Sequence, residues 1–89
     1  MFKFKEGDKV KKPKGYRFVG KIVGEGYKVE GGNRYNVQID GKEAVARLHE
    51  LMREKKITMR AATLIEVEEM LLNCHGMIHI FSEEQLEKV

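Results

Sequence analysis

The sequence has few of the residues that stabilise small secreted or membrane proteins. Its 89 residues include one cysteine, one proline and no tryptophan. The single cysteine, Cys74, has no partner for an internal disulfide, which is typical of a reducing compartment. Apolar residues never run for more than three or four positions, too few to span a bilayer. The first residues also lack the apolar stretch of a secretory signal. We therefore expect a cytoplasmic protein with no membrane partner.

Charged residues are abundant, and the positive ones are concentrated in the first half of the chain. Charged residues make up 35% of the sequence and hydrophobic residues 42%, a composition typical of a folded domain. Residues 1–40 contain ten Lys and Arg against five Asp and Glu, whereas residues 76–89 contain one Lys and three Glu. This asymmetry predicts an anionic partner for the first half, or attraction between the two ends of the chain.

The first 41 residues have the pattern of short β-strands. Glycines recur between β-rich runs at residues 9–12, 18–24 and 35–40, and the last run alternates apolar with polar residues, as a half-buried strand does. Gly31 and Gly32, followed by Asn33, predict a hairpin turn because these residues tolerate positive φ.

After Gly41 the apolar period changes from that of a strand to that of a helix. Val45, Leu48 and Met52 recur at helical spacing and predict a first helix. Thr58 is a candidate cap for a second helix that ends near Asn73. The short connection between them predicts a helical hairpin.

Residues 77–81 return to a strand pattern, and the terminal segment follows. Ser82 and Gln85 have the spacing of a capping box, which predicts a single helical turn. We predict one mainly β domain, residues 1–89, with an α insertion. Its small β-barrel comprises residues 1–41 and 76–89, closed at the bottom by Leu86 and Val89. An α-helical hairpin at about 42–75 interrupts the barrel before its last long strand. Such a short chain buries only about 60–65% of its unfolded surface, which favours a homo-oligomer.

The strand segments resemble SH3-like small barrels, including KOW-type modules. The resemblance lies in Gly-Asp-Lys-Val-Lys-Lys at residues 7–12, in Gly-Lys-Ile-Val-Gly at residues 20–24, and in the strand and terminal turn of residues 78–89. Within this group the nearest resemblance is to plasmid-borne type II dihydrofolate reductases. Those enzymes are homotetrameric barrels whose shared pore binds NADPH and dihydrofolate. The helical hairpin has no counterpart in them.

If the resemblance extends to function, it implies a reductase with NADPH as its cofactor. Lys12 is then the pore lysine that attracts the anionic ligands, and the pore strand comprises Ile78, His79, Ile80 and Phe81. His79 stands where the family has glutamine, and Phe81 where it has tyrosine. The strand at residues 37–40 offers a second register, but the terminal turn after residue 81 favours the later strand.

Considered without the resemblance, the residues point to binding rather than to catalysis. No complete catalytic signature is present, and we assign no catalytic residue. Lysines and an arginine alternate with aromatic residues between positions 9 and 21, a pattern in which cations contact phosphates and rings stack on bases. The predicted ligand-binding residues are Lys12, Lys14, Tyr16, Arg17, His79, Ile80 and Phe81.

Two further groups of residues are candidate sites. Cys74, His75 and His79 are close in sequence but lack the paired spacing of zinc ligands, so we assign no metal site. On the predicted second helix, Val67 and Met70 lie outside the main apolar stripe, which indicates a protein partner or a second copy. Filling of a small core explains them equally well.

These observations favour a small, non-catalytic, homo-oligomeric binding module without a cofactor. Its basic barrel face binds an anionic partner, either a nucleotide-like ligand or nucleic acid. The first alternative is an NADPH-dependent dihydrofolate reductase of the type II class. The second is a protein-binding inhibitor or adaptor that acts through the helices within residues 42–73.

Overall fold

One antiparallel sheet and two helices make up a mixed α+β fold. The structure is a computed structural model that describes residues 1–15 and 17–89. The six strands are β1 (Lys9–Lys11), β2 (Val19–Ile22), β3 (Tyr27–Val29), β4 (Gly32–Ile39), β5 (Ile78–Ser82) and β6 (Glu87–Lys88). The helices are α1 (Gly41–Arg53) and α2 (Ala61–Asn73), and a 3₁₀ turn occupies Glu83–Gln85. The strands and helices therefore follow the predicted order, with the two helices between β4 and β5.

The strand order is β3-β4-β2-β1-β6, and β5 pairs with the opposite edge of β4. Among the described residues, β3, β5 and β6 each pair with a single neighbour, so the sheet is open. The closed barrel expected from the sequence is not confirmed.

Strand β4 is the centre of the sheet and of the core. Its first residues pair with β3, its last residues pair with β2, and its other edge pairs with β5. Tyr35, Val37 and Ile39 are 0%, 2% and 1% exposed, whereas the alternate residues lie towards solvent. This confirms the alternation predicted for residues 35–40, because successive side chains of a strand point to opposite faces.

The helical hairpin packs onto the sheet through both of its helices. Ala44 and Leu48 of α1 and Leu71 of α2 are buried in the same core as β4. Asp40 caps α1 by accepting a 3.0 Å hydrogen bond from the Glu43 N–H. Neither helix, each of 13 residues, is long and apolar enough to cross a membrane, as far as the described part of the chain extends.

Helix α2 begins two residues later than the Thr58 cap predicts. Its N-cap is Arg60, which has an extended backbone and makes no side-chain capping bond. The preceding residues alternate in burial, with Ile57 and Met59 packed against the core and Thr58 exposed. Because Ile57 and Met59 pack against the core, these residues remain outside the helix, which begins at Ala61.

Val67 and Met70 agree with the second of their two interpretations, the filling of a small core. Both are partly buried against the core, and the large exposed apolar residues of α2 are Ile65 and Leu72. From the sequence we expect both Leu86 and Val89 to cover the bottom of the barrel. Leu86 is buried, with 3% of its surface exposed, whereas Val89 is 61% exposed and covers no part of the core. The capping box at Ser82 and Gln85 is confirmed.

The N-terminal residues are held against the sheet by the hydroxyl of Tyr35. That hydroxyl donates a 2.5 Å hydrogen bond to the Glu83 carboxylate and accepts a 3.2 Å bond from the Phe4 N–H. The Phe4 ring is buried and meets the Tyr35 ring edge-on, with centroids 5.3 Å apart. The Tyr35 hydroxyl and the Asn33 amide lower the pKa of Glu83 below its ordinary value.

Gly41, at the start of α1, packs directly against the backbone near the end of α2. Its replacement tests this contact between the two helices. A Cβ at this position would collide with the main-chain carbonyl of Leu71, and the Gly41 N–H donates a 3.0 Å bond to Nδ1 of His75. We expect Gly41→Ala to lower the free energy of unfolding in urea by about 2 kcal/mol, because a backbone atom cannot move aside. Lys42→Ala, at the exposed next position, is the control and should change it by no more than about 0.5 kcal/mol. Equal stability of the two variants would contradict this packing.

The Glu83 carboxylate should make stability depend on pH. The pKa of Glu83 is lower in the folded chain than in the unfolded chain. The carboxylate therefore adds to the free energy of unfolding in full above its ordinary pKa of about 4.3, and this addition is lost as the pH falls through the folded pKa. We expect urea unfolding to show decreasing stability on acidification below that value, and Glu83→Gln to flatten this part of the profile. Glu84→Gln, the exposed neighbour, should keep the wild-type slope. A Glu83→Gln profile as steep as that of the wild type would refute the assignment.

Candidate basic cleft

A cleft between the β1–β2 loop and the end of α1 is lined by cations. Its volume is about 240 Å³. The lining side chains that the structure describes are Lys11, Lys12, Pro13, Arg17, Arg47, Leu51, Lys56 and Ile57. Five of these residues are cationic and none is a carboxylate. We call this site the basic cleft.

The β1–β2 loop presents its cations from a tightly folded backbone. The Lys12 N–H donates a 2.7 Å bond to the Phe18 carbonyl and so closes the base of the loop. Inside the loop, Lys12 Nζ donates to the Lys14 carbonyl at 2.9 Å, and Arg17 Nη1 donates to the Gly15 carbonyl at 3.4 Å. Arg17 itself has a φ of 54°, in the left-handed region that only glycine adopts freely. A residue keeps such a backbone conformation only where the surrounding structure stabilises it, and residues of this kind are concentrated at ligand sites.

The opposite wall is formed by the last two turns of α1 and the residues that follow. Arg47 and Leu51 lie one turn apart on the same face. The helix ends in a Schellman motif: the Lys56 N–H donates to the Leu51 carbonyl at 3.0 Å and the Lys55 N–H to the Met52 carbonyl at 3.1 Å. Lys55 occupies the left-handed position, with a φ of 59°, where glycine is usual. This reversal brings Lys56 and Ile57 back to the cleft.

The positive charge of the cleft is only weakly compensated by nearby carboxylates. Glu87 lies 3.9 Å from Lys11, and Glu54 lies 3.1 Å from Lys56. Exposed pairs of this kind contribute about 0–1 kcal/mol and exchange readily with other anions. The apolar walls of Pro13, Leu51 and Ile57 reduce the local dielectric and so strengthen the attraction for an anion. The cations among the described residues of this cleft can bind a phosphate or a carboxylate.

The structure brings together some of the predicted ligand-binding residues and separates others. Lys12 and Arg17 both line the basic cleft. Lys14 lies beside it, in a depression shared with Ser82 and Glu84 of the chain's last segment. Tyr16, the predicted stacking residue, lies outside the described residues.

The predicted residues of β5 do not line the described part of the cleft, and their side chains alternate between the two faces of the sheet. Ile80 is on the outer face and is 62% exposed. Phe81 is 7% exposed, and its ring centroid is 6.0 Å from that of Phe18 in the core. The ring of His79 stacks on Phe81, with centroids 6.2 Å apart. Its Nε2 atom is buried and has no hydrogen-bond partner among the described residues. We leave Phe81 out of the proposed site because it is buried in the core. His79 is left out because it is half-buried, packs its ring against Phe18 and Phe81, and does not line the described part of the cleft.

Sequence reasoning missed the helical wall of the cleft. From the sequence alone, Arg47 is one of several charges on an amphipathic helix, and Lys56 is one of two lysines that suit the C-terminal end of that helix. The only local signal is their position beside the apolar residues Leu51 and Ile57. That signal becomes meaningful only when the hairpin is known to fold against the β1–β2 loop.

A second, larger cleft lies where the hairpin joins the sheet, with a volume of about 470 Å³. Its charges are largely neutralised, because Lys9 Nζ is 2.8 Å from the Glu43 carboxylate and Asp40 caps α1. The hydrogen bond and charge of Glu43 raise the pKa of Lys9, as expected for a cation that is already paired. This cleft offers an incoming anion less free charge than the basic cleft does.

Neither metal ligands among the described residues nor related proteins indicate a further site. Within residues 1–15 and 17–89, no three His, Cys, Asp or Glu side chains come together in a group that could hold a metal ion. No protein-family model, curated protein or solved structure matches this chain. The site is therefore defined by its geometry and its charge.

Substitution of His79 distinguishes a covered residue from a ligand-binding one. Its Nε2 is buried without a partner, which costs about 1–3 kcal/mol. We expect His79→Phe to raise the free energy of unfolding by about 1 kcal/mol, because the new ring keeps the stacking and removes the polar atom. The control is His49→Phe, at a histidine whose Nε2 lies 3.4 Å from Glu68, and it should give no gain. Destabilisation by His79→Phe together with loss of anion binding would show instead that His79 serves a ligand.

Proposed function

We propose that the protein is a non-catalytic module that binds the sugar-phosphate backbone of single-stranded nucleic acid in the basic cleft. The observation that carries this proposal is the set of five cations, with no carboxylate among the described lining residues, at one concave site. Cations that neutralise phosphates release condensed counterions, and this release drives most binding to nucleic acids.

The volume of the cleft favours a phosphate chain as the ligand rather than a free dinucleotide. Pockets that enclose drug-sized ligands have volumes of about 300–1,000 Å³. The basic cleft, at about 240 Å³, is too small to enclose NADPH within one protomer. It suits one phosphate and its sugar, with the rest of the strand continuing over the surface. Lys14 and Lys55 are both exposed and are neighbours in sequence of the cleft residues Pro13 and Lys56, so they add positive charge beside the cleft.

We extend the proposal to the fold and the location of the protein. The antiparallel pairing of β1 with β2 and β6, together with the 3₁₀ turn before β6, supports an SH3-like barrel with the hairpin inserted between β4 and β5. Small barrels of this kind serve many functions, so the fold itself is weak support for nucleic acid as the ligand. The single free cysteine, Cys74, supports a cytoplasmic location.

Binding of a fluorescent single-stranded oligothymidylate, followed by anisotropy, tests the proposal. We expect Arg47→Glu to weaken binding at least about tenfold, because it places a carboxylate inside the cleft. Lys42→Glu makes the same charge change on an exposed position of the same helix and should weaken binding by no more than about threefold. The logarithm of the association constant should fall with the logarithm of salt concentration, with a slope of about −2 to −3.5 for three to five phosphate contacts.

Other outcomes of the same titrations point to the alternative functions. Equal losses in the two variants, or no dependence on salt, would refute binding in the basic cleft. Tighter binding of NADPH than of the oligonucleotide, with NADPH oxidation that requires dihydrofolate, would establish the reductase. Absence of any anion binding would leave the hairpin, with exposed Ile65 and Leu72, as the basis for a protein-binding role.

A further inference from the structure

Strand β5 is an edge of the sheet that carries no charge. Of the three strands with a single described neighbour, β3 contains Lys28 and β6 consists of Glu87 and Lys88. The sequence of β5 is Ile-His-Ile-Phe-Ser. Proteins usually protect exposed edges with charged side chains or proline, because an unprotected edge pairs with other strands. Strand β5 lacks that protection.

The direction of the backbone groups on β5 follows from the bonds made by β4. The Val23 N–H donates to the Asn36 carbonyl at 2.9 Å, whereas the Ile39 N–H donates to the Met77 carbonyl at 2.8 Å. Even-numbered residues of β4 therefore direct their backbone groups towards β2, and odd-numbered residues direct theirs towards β5. In an antiparallel ladder the residues opposite each other share this alternation. Ile78 and Ile80 lie opposite Gln38 and Asn36, so their backbone groups point away from β4 to the free edge.

The same two residues also expose their side chains. Ile78 is 58% exposed and Ile80 is 62% exposed, on the outer face of the sheet. Ile78 and Ile80 thus combine free backbone donors and acceptors with branched apolar side chains, which favour pairing between strands. Ser82 shares their orientation, but its N–H is already bonded to the Gln85 side chain at 2.9 Å.

We propose that β5 pairs with β5 of a second copy of this chain, antiparallel across a two-fold axis that passes beside His79. Ile78 of one protomer then lies opposite the partner's Ile80, and each such pair exchanges two backbone hydrogen bonds. This register is chosen because only Ile78 and Ile80 have both backbone groups available. An axis at Ile80 would place Ser82, whose N–H is occupied, in a bonded pair.

Charge and area define the kind of dimer that this edge supports. The antiparallel arrangement places the Glu83–Gln85 turn of one protomer next to residues 74–76 of the other, which include the exposed His75 and no carboxylate of their own. The Asp40 carboxylate lies 3.8 Å from His75, so this part of the contact adds no clear charge attraction. Stable interfaces bury at least about 1,200 Å² of accessible surface in total. Two paired strand edges with four isoleucines bury less than that. We expect a weak dimer that dissociates on dilution, with a dissociation constant in the micromolar range.

Sedimentation of the full chain over a range of concentrations tests the surface. The mass should rise from the monomer value of 10.3 kDa towards twice that value as the concentration increases. Ile80→Lys should shift the midpoint to at least about tenfold higher concentration, because it places a charge on the paired edge, one residue from the axis. Ile65→Lys, at a comparably exposed position on α2, should leave the midpoint unchanged. A mass that stays at the monomer value throughout, or equal effects of the two lysines, would overturn the proposal.

Cysteine crosslinking tests the register without relying on a disruptive variant. In a Cys74→Ser background, Ile78→Cys combined with Ile80→Cys places cysteines in opposite bonded pairs, with Cα atoms about 5.5 Å apart, which a disulfide can span. We expect a covalent dimer under mild oxidation, and little from Ile80→Cys alone. Crosslinking of the single variant as complete as that of the double variant would refute the axis at His79.

Discussion

Pairing of β4 on both of its edges is the constraint on which the rest of the molecule depends. One edge is shared between β3 and β2 and the other belongs to β5, so the strand must be central and its inward side chains must be buried. Tyr35 fulfils two tasks at once. Its ring fills the core, and its hydroxyl joins the N-terminal residues to the turn after β5 through Phe4 and Glu83.

The end of β4 also determines where the helices lie. Asp40 begins α1 directly after the strand, and Gly41 lets α1 approach the end of α2 more closely than any residue with a Cβ. The hairpin is thereby directed across the sheet, and the last turns of α1 reach the β1–β2 loop. The basic cleft is a consequence of this packing, since its two walls come from parts of the chain that are about thirty residues apart. Neither wall has more than three cations of its own.

Local sequence patterns are sufficient to predict most of the strands, turns and helices, but not the features that depend on tertiary packing. The alternation in β4, the hairpin turn at Gly31 and the capping box at Ser82 are each determined within a few residues, and the sequence predicts them. The start of α2 depends instead on the burial of Ile57 and Met59 by distant parts of the core. A local capping rule therefore placed it too early, at Thr58.

The site was only half predictable for the same physical reason. Lys12 and Arg17 belong to one glycine-containing loop and could be recognised there, whereas Arg47 and Lys56 join them only through tertiary packing. On β5 the composition alone does not give the phase of the strand. A shift of one residue exchanges the two faces, and the pairing of Phe81 with Tyr35 places Phe81 in the core.

The central claim is that the cleft between the β1–β2 loop and α1 binds phosphates of a nucleic-acid strand. The most direct measurement is the change in backbone amide NMR shifts as a single-stranded oligonucleotide is added at moderate salt. The account predicts the largest changes on both walls, at Lys12, Arg17, Arg47 and Lys56, with little change at Ile65 on α2. Changes confined to one wall, or centred on the larger cleft around Lys9 and Glu43, would contradict it.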